Sequence, residues 1–307
     1  MTGNITADWI AVDWGTTNLR VWAMGQAGAL ISARETDQGV NTLDSAALEP
    51  VLLSLTSDWL PPDKPTLFLC CGMIGSRLGW IETPYRPVPT LVTDASSLTK
   101  APTQDARLRV LITAGVKQAQ PPDVMRGEET QIAGFLKHQP DFDGVLCLPG
   151  THTKWARISA GELVSFTSFM TGELFSLLAN QSVLRPCVAG QGWDSAAFDD
   201  AVSTAQSHPA RVASDLFSIR AASLIDDLPV SAARARLSGL LIGQEITAAK
   251  PYWLGMEVVI LGDDPLASLY QRALKAQGLP AATSPAKTAT LDGLRAIWAA
   301  MHTGGRA

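Results

Sequence analysis

The residues with the most chemistry in the least space lie near the N-terminus, in the run WIAVDWGTTNLRVW from Trp9 to Trp22. An apolar segment delivers one carboxylate, Asp13, into a turn of Gly15, Thr16 and Thr17, and a second apolar segment, Leu19 to Ala23, leaves it. A hairpin built this way exposes backbone N–H groups and two hydroxyls at its tip, with a lone anion facing the same space. That tip suits a phosphate and its metal ion, although Asp-x-Gly at a strand end is also an ordinary turn signal.

A second copy of the pattern favours the phosphate reading. From Val145 to Phe169 the chain repeats an apolar strand, Gly150-Thr151, a further Thr153, another apolar strand, a Gly-led turn and a third strand. Even the turns read alike, Gly28-Ala-Leu-Ile-Ser32 in one copy and Gly161-Glu-Leu-Val-Ser165 in the other. Internal repetition of this length implies two like-built halves, each with a phosphate-type turn. Beside the second turn Lys154 supplies a point charge suited to a β or γ phosphate, or else is a surface lysine on a strand.

The positioning elements follow from periodicity. Strands are predicted over 9–13, 19–23 and 29–36, then a helix over 45–59 stopped by Pro61-Pro62. Thr66 to Cys71 is continuously apolar, as in a strand buried on both faces, and opens into Gly72-Met-Ile-Gly-Ser-Arg-Leu-Gly-Trp80. Gly75, Ser76, Arg77 and Trp80 thereby stand at the end of a buried strand, where open α/β sheets bind ligands. Residues 93–107 read as an irregular excursion, 108–114 as a short strand, and Pro121-Pro122 as the start of the crossing between lobes at 1–125 and 126–307. Gly127, Glu128 and Glu129 open a helix whose dipole favours acids in the first turn, and Thr171 is a natural N-cap for the next. Helices fill 196–249, a strand runs over 257–262 into a turn led by Gly262, and a helix over 290–301 closes the chain.

Six segments, DWGTTNLR, CGMIGSRLGW, RGEETQIAGF, LPGTHTKW, MTGELF and LSGLLIG, occur in this order. Together they resemble the 2-dehydro-3-deoxygalactonokinase family, sugar-acid kinases of the actin, hexokinase and Hsp70 superfamily. The resemblance implies an α/β fold of two ribonuclease-H-like lobes, each a mixed sheet with helices, and an actin-like ATPase cleft between them. It implies ATP and Mg2+ as cofactors, with Asp13 orienting the metal. Gly15, Thr16, Thr17, Gly150, Thr151, Thr153 and Lys154 would hold phosphates, and Gly262 would lead the adenosine turn. Glu128 falls where related sugar kinases carry their catalytic base, with Glu129 as the neighbouring alternative. The Gly75-Ser76-Arg77 loop with Trp80 would bind the sugar acid, a fork for its carboxylate and a wall for its carbon face. Two other readings stay open: a kinase of this superfamily acting on a neutral sugar, and a non-kinase actin-like nucleotide-binding protein.

Bulk composition narrows the field. At 307 residues, 46% hydrophobic and 17% charged, the chain can bury two cores. A net charge of −5 argues against a nucleic-acid partner. The N-terminal MTGNITADW lacks the features of a secretory signal, and no apolar run reaches the ~18 residues of a membrane span, so a cytoplasmic protein without membrane partners is expected. Cysteines at 70, 71, 147 and 187 have no metal-binding spacing and read as buried thiols. The GxG of CVAGQGWD lacks the strand entry of a dinucleotide fingerprint, and no P-loop motif is present.

Overall fold

The structure is a computed structural model that describes residues 6–303, so the first five residues of MTGNITADW lie outside it. In chain order the first part contains β1 (Trp9–Trp14), β2 (Leu19–Met24), β3 (Leu30–Thr36), α1 (Leu48–Thr56), β4 (Thr66–Gly72), β5 (Tyr85–Pro87), β6 (Thr99–Lys100), β7 (Leu108–Ile112), β8 (Gly115–Gln118), β9 (Asp123–Met125) and α2 (Glu128–His138). The second part contains β10 (Gly144–Leu148), β11 (Thr153–Ser159), β12 (Glu162–Phe169), α3 (Thr171–Gln181), α4 (Arg185–Val188), α5 (Ser195–Ser207), α6 (Val212–Ile225), α7 (Val230–Ala248), α8 (Lys250–Trp253), β13 (Val258–Leu261), α9 (Leu266–Ala276) and β14 (Ala282–Ser284), before α10 (Ala286–Thr303).

The internal repeat is visible in strand order. One sheet runs β3-β2-β1-β4-β7-β6 and the other β12-β11-β10-β13-β14. In each, the opening strand pairs antiparallel with the next strand and parallel with the fourth: β1 with β2 and β4, β10 with β11 and β13. This is the ribonuclease-H-like order expected from the sequence. The short sheet β5-β8-β9 has no counterpart among those expectations, because strands of three or four residues carry too little periodicity to read.

The compact units do not divide at 125/126. Residues up to Phe142, Ser159–Ser165 and the segment from Ala286 onward form the first unit, and Asp143–Ile158 with Phe166–Pro285 form the second. The expected break failed because α2 and α10 pack on each other through glycine. A Cβ on Gly134 would lie 1.8 Å from the Ala289 carbonyl oxygen, and one on Gly293 1.8 Å from that of Thr130. Only hydrogen at both positions allows so close a crossing.

Alternation along β1 serves two layers. Ile10, Val12 and Trp14 pack with Leu48 and Leu52 of α1, while Trp9 and Ala11 face Leu291, Leu294 and Ile297 of α10. Trp9 stacks on Trp298, with ring centroids 5.3 Å apart and planes inclined by 6°. Cys70 and Cys71 fall on opposite layers, and all four cysteines are buried and free. In the second unit, Gly239 and Gly243 of α7 face the backbone of α5 at Phe198 and Val202. Among the described residues no helix is long and apolar enough to cross a membrane.

Candidate active site

In the first unit the hairpin tip is held from behind. The carbonyls of Gly15, Thr16 and Thr17 accept N–H groups of Val40, Asn41 and Gly39 at 3.0, 3.2 and 3.0 Å. Gly39 must lack a side chain, since its Cβ would meet the Thr16 carbonyl oxygen at 2.2 Å. With its acceptors engaged on one side, the turn turns the exposed Thr16 and Thr17 to the other. Asp13, Gly15, Thr16, Thr17, Asn18 and Arg20 line a small recess of about 140 Å³. Arg20 Nη1 is 3.3 Å from Asp13 Oδ2. Burial pushes the Asp13 carboxyl above its usual range, against the pull of Arg20 and of a hydrogen bond from Cys71.

Two glycines bring the start of α2 to this place. Gly72 ends β4 at φ +91° and Gly127 precedes α2 at φ +110°, both in the left-handed region, and a Cβ on Gly127 would sit 3.3 Å from Gly72 Cα. Gly72 in turn lies against Trp14 and Asp13. Cys71 Sγ is 3.9 Å from Asp13 Oδ1 and lies against the Thr130 side chain, so the thiol lies between Asp13 and the first turn of α2. There Glu129, only 1% exposed, accepts the Gly127 N–H at 2.6 Å and the Thr130 hydroxyl at 3.3 Å. Burial, then repulsion by Glu128, raises its carboxyl to about 7. Glu128, which the resemblance marked as the base, accepts the Arg126 N–H at 3.0 Å.

The glycine-rich loop divides the expected sugar contacts. Gly75 packs on Thr83 and Arg126, and Ser76 follows it with a buried hydroxyl that has no partner among the described residues. Arg77 turns away: its side chain is 83% exposed and its Nε lies 3.0 Å from Glu82. Trp80 donates Nε1–H to the Pro102 carbonyl at 2.9 Å and packs on the α1-side core. The half-buried cation beside Gly75 is instead Arg126, stacked 4.3 Å over the Tyr85 ring with Nη2 on the Thr83 carbonyl at 2.9 Å.

In the second unit Gly172 crosses directly behind the other turn. A Cβ there would be 2.2 Å from the Gly150 carbonyl oxygen, and the Glu173 N–H bonds the Thr151 carbonyl at 2.9 Å. His152 pairs with Glu173 at 2.5 Å. Gly150 and Thr151 open onto a cavity of about 810 Å³, the size of small-molecule sites. Its walls carry Trp193, Phe175 and Leu241, with Arg234 and Arg272 at its border.

Four expectations for this unit need correction. Thr153 is not at the tip: it begins β11, is fully buried, and shares a 2.9 Å hydrogen bond with the Tyr270 hydroxyl. Strand alternation puts Lys154 on the opposite face, 5% exposed, rather than displayed on the turn. Gly262 gives its N–H to Ser284 and packs against Pro149 and Ala267, while α9 itself supplies Leu266, Ser268, Leu269 and Arg272 to the cavity. Thr171 is the first residue of α3 and not its cap; its hydroxyl goes to Glu245. The sequence did hold a signal for the missed wall, since Arg234, Ser238, Leu241 and Ile242 are spaced as one face of a helix.

Comparison with known proteins decides the family. The profile of the family described as 2-keto-3-deoxy-galactonokinase matches residues 13–297. The chain belongs to this family. A probable 2-dehydro-3-deoxygalactonokinase of Rhizobium meliloti (strain 1021) is 38% identical over 298 residues, covering 94% of this chain and 97% of its own. The 2-dehydro-3-deoxygalactonokinase of Escherichia coli (strain K12) is 32% identical over 295 residues, covering 95% and 98%. A crystal structure of a Sinorhizobium meliloti protein assigned as a 2-dehydro-3-deoxygalactonokinase superposes with a TM-score of 0.86 at 36% identity, covering 95% of this chain and 99% of that one. The fold is also that of the activator of 2-hydroxyisocaproyl-CoA dehydratase from Clostridium difficile, at a TM-score of 0.53 and 13% identity over 97% of both chains. The family is thus one of α/β kinases with an actin-like ATPase fold.

Proposed function

We propose that this chain phosphorylates 2-dehydro-3-deoxy-D-galactonate at its 6-hydroxyl, with ATP as the donor and magnesium as the metal. Family membership supports the substrate and the reaction class. One observation carries the mechanism: Glu129, a carboxyl raised to about 7, lies across Cys71 from Asp13. A general base is most effective when its pKa is near the working pH, so Glu129 is assigned the role. The acceptor hydroxyl oxygen forms its bond to the γ-phosphorus as the bond from that phosphorus to the bridging oxygen of ADP breaks. The hydroxyl proton passes to Glu129.

In the first unit Thr16 and Thr17 are assigned to phosphate; in the second unit Gly150 and Thr151, at the cavity's edge, are assigned to phosphate as well. The nucleoside is assigned to the 810 Å³ cavity, whose apolar and aromatic walls suit a purine. Asp13 fits magnesium. No group of three or more His, Cys, Asp or Glu is arranged to hold a metal among the described residues, and magnesium, which keeps several waters, needs only one or two carboxylates. Bound there, it would neutralise phosphate charge. The sugar acid's own carboxylate is assigned to Arg126, in place of Arg77, with Gly75 and Ser76 beside it.

The deciding assay is ATP-dependent ADP release over a panel of keto-deoxy sugar acids and the neutral sugars that lack the carboxylate. Acceptance of the acid and refusal of the neutral analogue is expected. Equal use of both would favour a neutral-sugar kinase, and ATP binding without any phosphorylated product would favour a non-catalytic actin-like protein.

A further inference from the structure

Two of the six sequence segments, LPGTHTKW and MTGELF, converge on a carboxylate that the proposed chemistry does not use. Glu245, on α7 and 2% exposed, accepts Trp155 Nε1–H at 2.8 Å and the Tyr270 hydroxyl at 2.7 Å, and Thr171 gives it a third hydrogen bond. Thr153 bonds the Tyr270 oxygen at 2.9 Å. Because Tyr270 spends its one hydrogen on Glu245, the hydroxyl chain runs from Thr153 to Tyr270 to Glu245. The partners come from β11, α3 and α9, so this one side chain ties three elements to α7.

Two of those partners line the cavity. Thr171 and Tyr270 are in its wall, Gly172 next to Thr171 backs the Gly150 turn, and Tyr270 stands on the helix that supplies Leu266, Leu269 and Arg272. Glu245 is itself absent from the lining and acts from behind. No other acid, and no cation, is among the groups bonded to it.

We propose that Glu245 is a positioning residue for the nucleotide: its carboxylate fixes Thr171 and Tyr270, and through them the width of the cavity and the seat of the Gly150-Thr151 turn. The inference rests on the assignment of this cavity to the nucleoside. It requires the donors gathered here, the Trp155 N–H and the hydroxyls of Thr171, Tyr270 and Thr153, to find an acceptor, not a particular charge. An amide in the same place keeps one acceptor oxygen for the donors and can give its N–H to the Tyr270 oxygen, with Tyr270 then donating to Thr153, so most of the set is kept. An apolar side chain offers no such repair and leaves buried donors unsatisfied.

The test compares full-length Glu245→Leu, Glu245→Gln, Tyr270→Phe and Thr171→Val by three readouts: ATP affinity by titration calorimetry, melting temperature, and the Michaelis constants with kcat. Glu245→Leu is expected to weaken ATP binding about tenfold, with kcat at saturating ATP and KM for the sugar acid within about twofold of wild type. Glu245→Gln should restore affinity to within about threefold, and Tyr270→Phe added to Glu245→Leu should cost less than the product of the two, since both act on one bond. Unchanged ATP affinity in a folded Glu245→Leu would overturn the proposal, as would a fall in kcat and a rise in both KM values alike. Should that variant not fold, Tyr270→Phe and Thr171→Val carry the test, and ATP affinity unchanged in both refutes it. A wild type that turns over sugar acid but whose cavity variant Trp193→Ala binds ATP normally would instead refute the cavity's assignment, and this inference with it.

Discussion

Replacing Glu129 with glutamine removes one ionisation and keeps an acceptor for the Gly127 N–H, so it isolates the charge. A carboxyl whose ordinary value is 4.5 and whose folded value is about 7 holds its proton more tightly in the native state than in the unfolded chain. Raising the pH then destabilises the fold. The cost is absent well below 4.5, where both states are protonated, and complete above about 7, where both are ionised. At about 1.4 kcal/mol per tenfold in proton affinity, it amounts to about 3 kcal/mol at pH 8. Glu129→Gln is therefore expected to be more stable than wild type by a margin that grows from near zero at pH 4 to about 3 kcal/mol at pH 8, read from urea midpoints across that range. The same substitution should lower kcat by about 10²- to 10⁴-fold, and the wild-type kcat/KM should fall on the acid side with an apparent pKa near the folded value. Parallel pH–stability curves for the two proteins would refute the buried-charge argument. Wild-type turnover in the variant would refute the assignment of the base, and Glu128→Gln would then be the variant to examine.

Asp13→Asn should reduce turnover by about 10- to 100-fold and shift the magnesium dependence to higher concentration, checked by a metal titration at saturating ATP. Arg126→Ala should raise KM for the sugar acid about tenfold or more, whereas Arg77→Ala should leave it within about twofold, because Arg77 is committed to Glu82 at the surface. Gly293→Ala puts a methyl against the Thr130 carbonyl and should cost about 1–3 kcal/mol, seen as a lower melting temperature with little change in ATP affinity.

The architecture was legible because the two long hairpins repeat, and because fully buried strands such as β4 leave unbroken apolar runs. Even the opposed burial of Cys70 and Cys71 follows from strand alternation alone. The two hairpin turns were legible, and what packs behind them was less so. Nothing local in Thr153 says that it will bond Tyr270, 117 residues away, and Arg77 in its glycine-rich loop looks like a clamp until Glu82 is seen beside it. The different burial of Glu128 and Glu129 was equally out of reach, since neighbouring acids differ only in which way the first turn of a helix faces. The lobe boundary was missed for a related reason: Gly134 and Gly293 look unremarkable until the two helices that bear them are laid across each other.

The return of α10 to the first unit has a consequence for the order of assembly on the ribosome. Everything the second sheet requires, from Asp143 to Pro285, has been synthesised before the partner of Trp9 exists. The α10-side layer of the first sheet must wait, its Trp9, Trp22 and Leu69 uncovered, until Leu291, Leu294 and Trp298 emerge. The layer of the first sheet that α10 covers is therefore the last whose covering residues are synthesised.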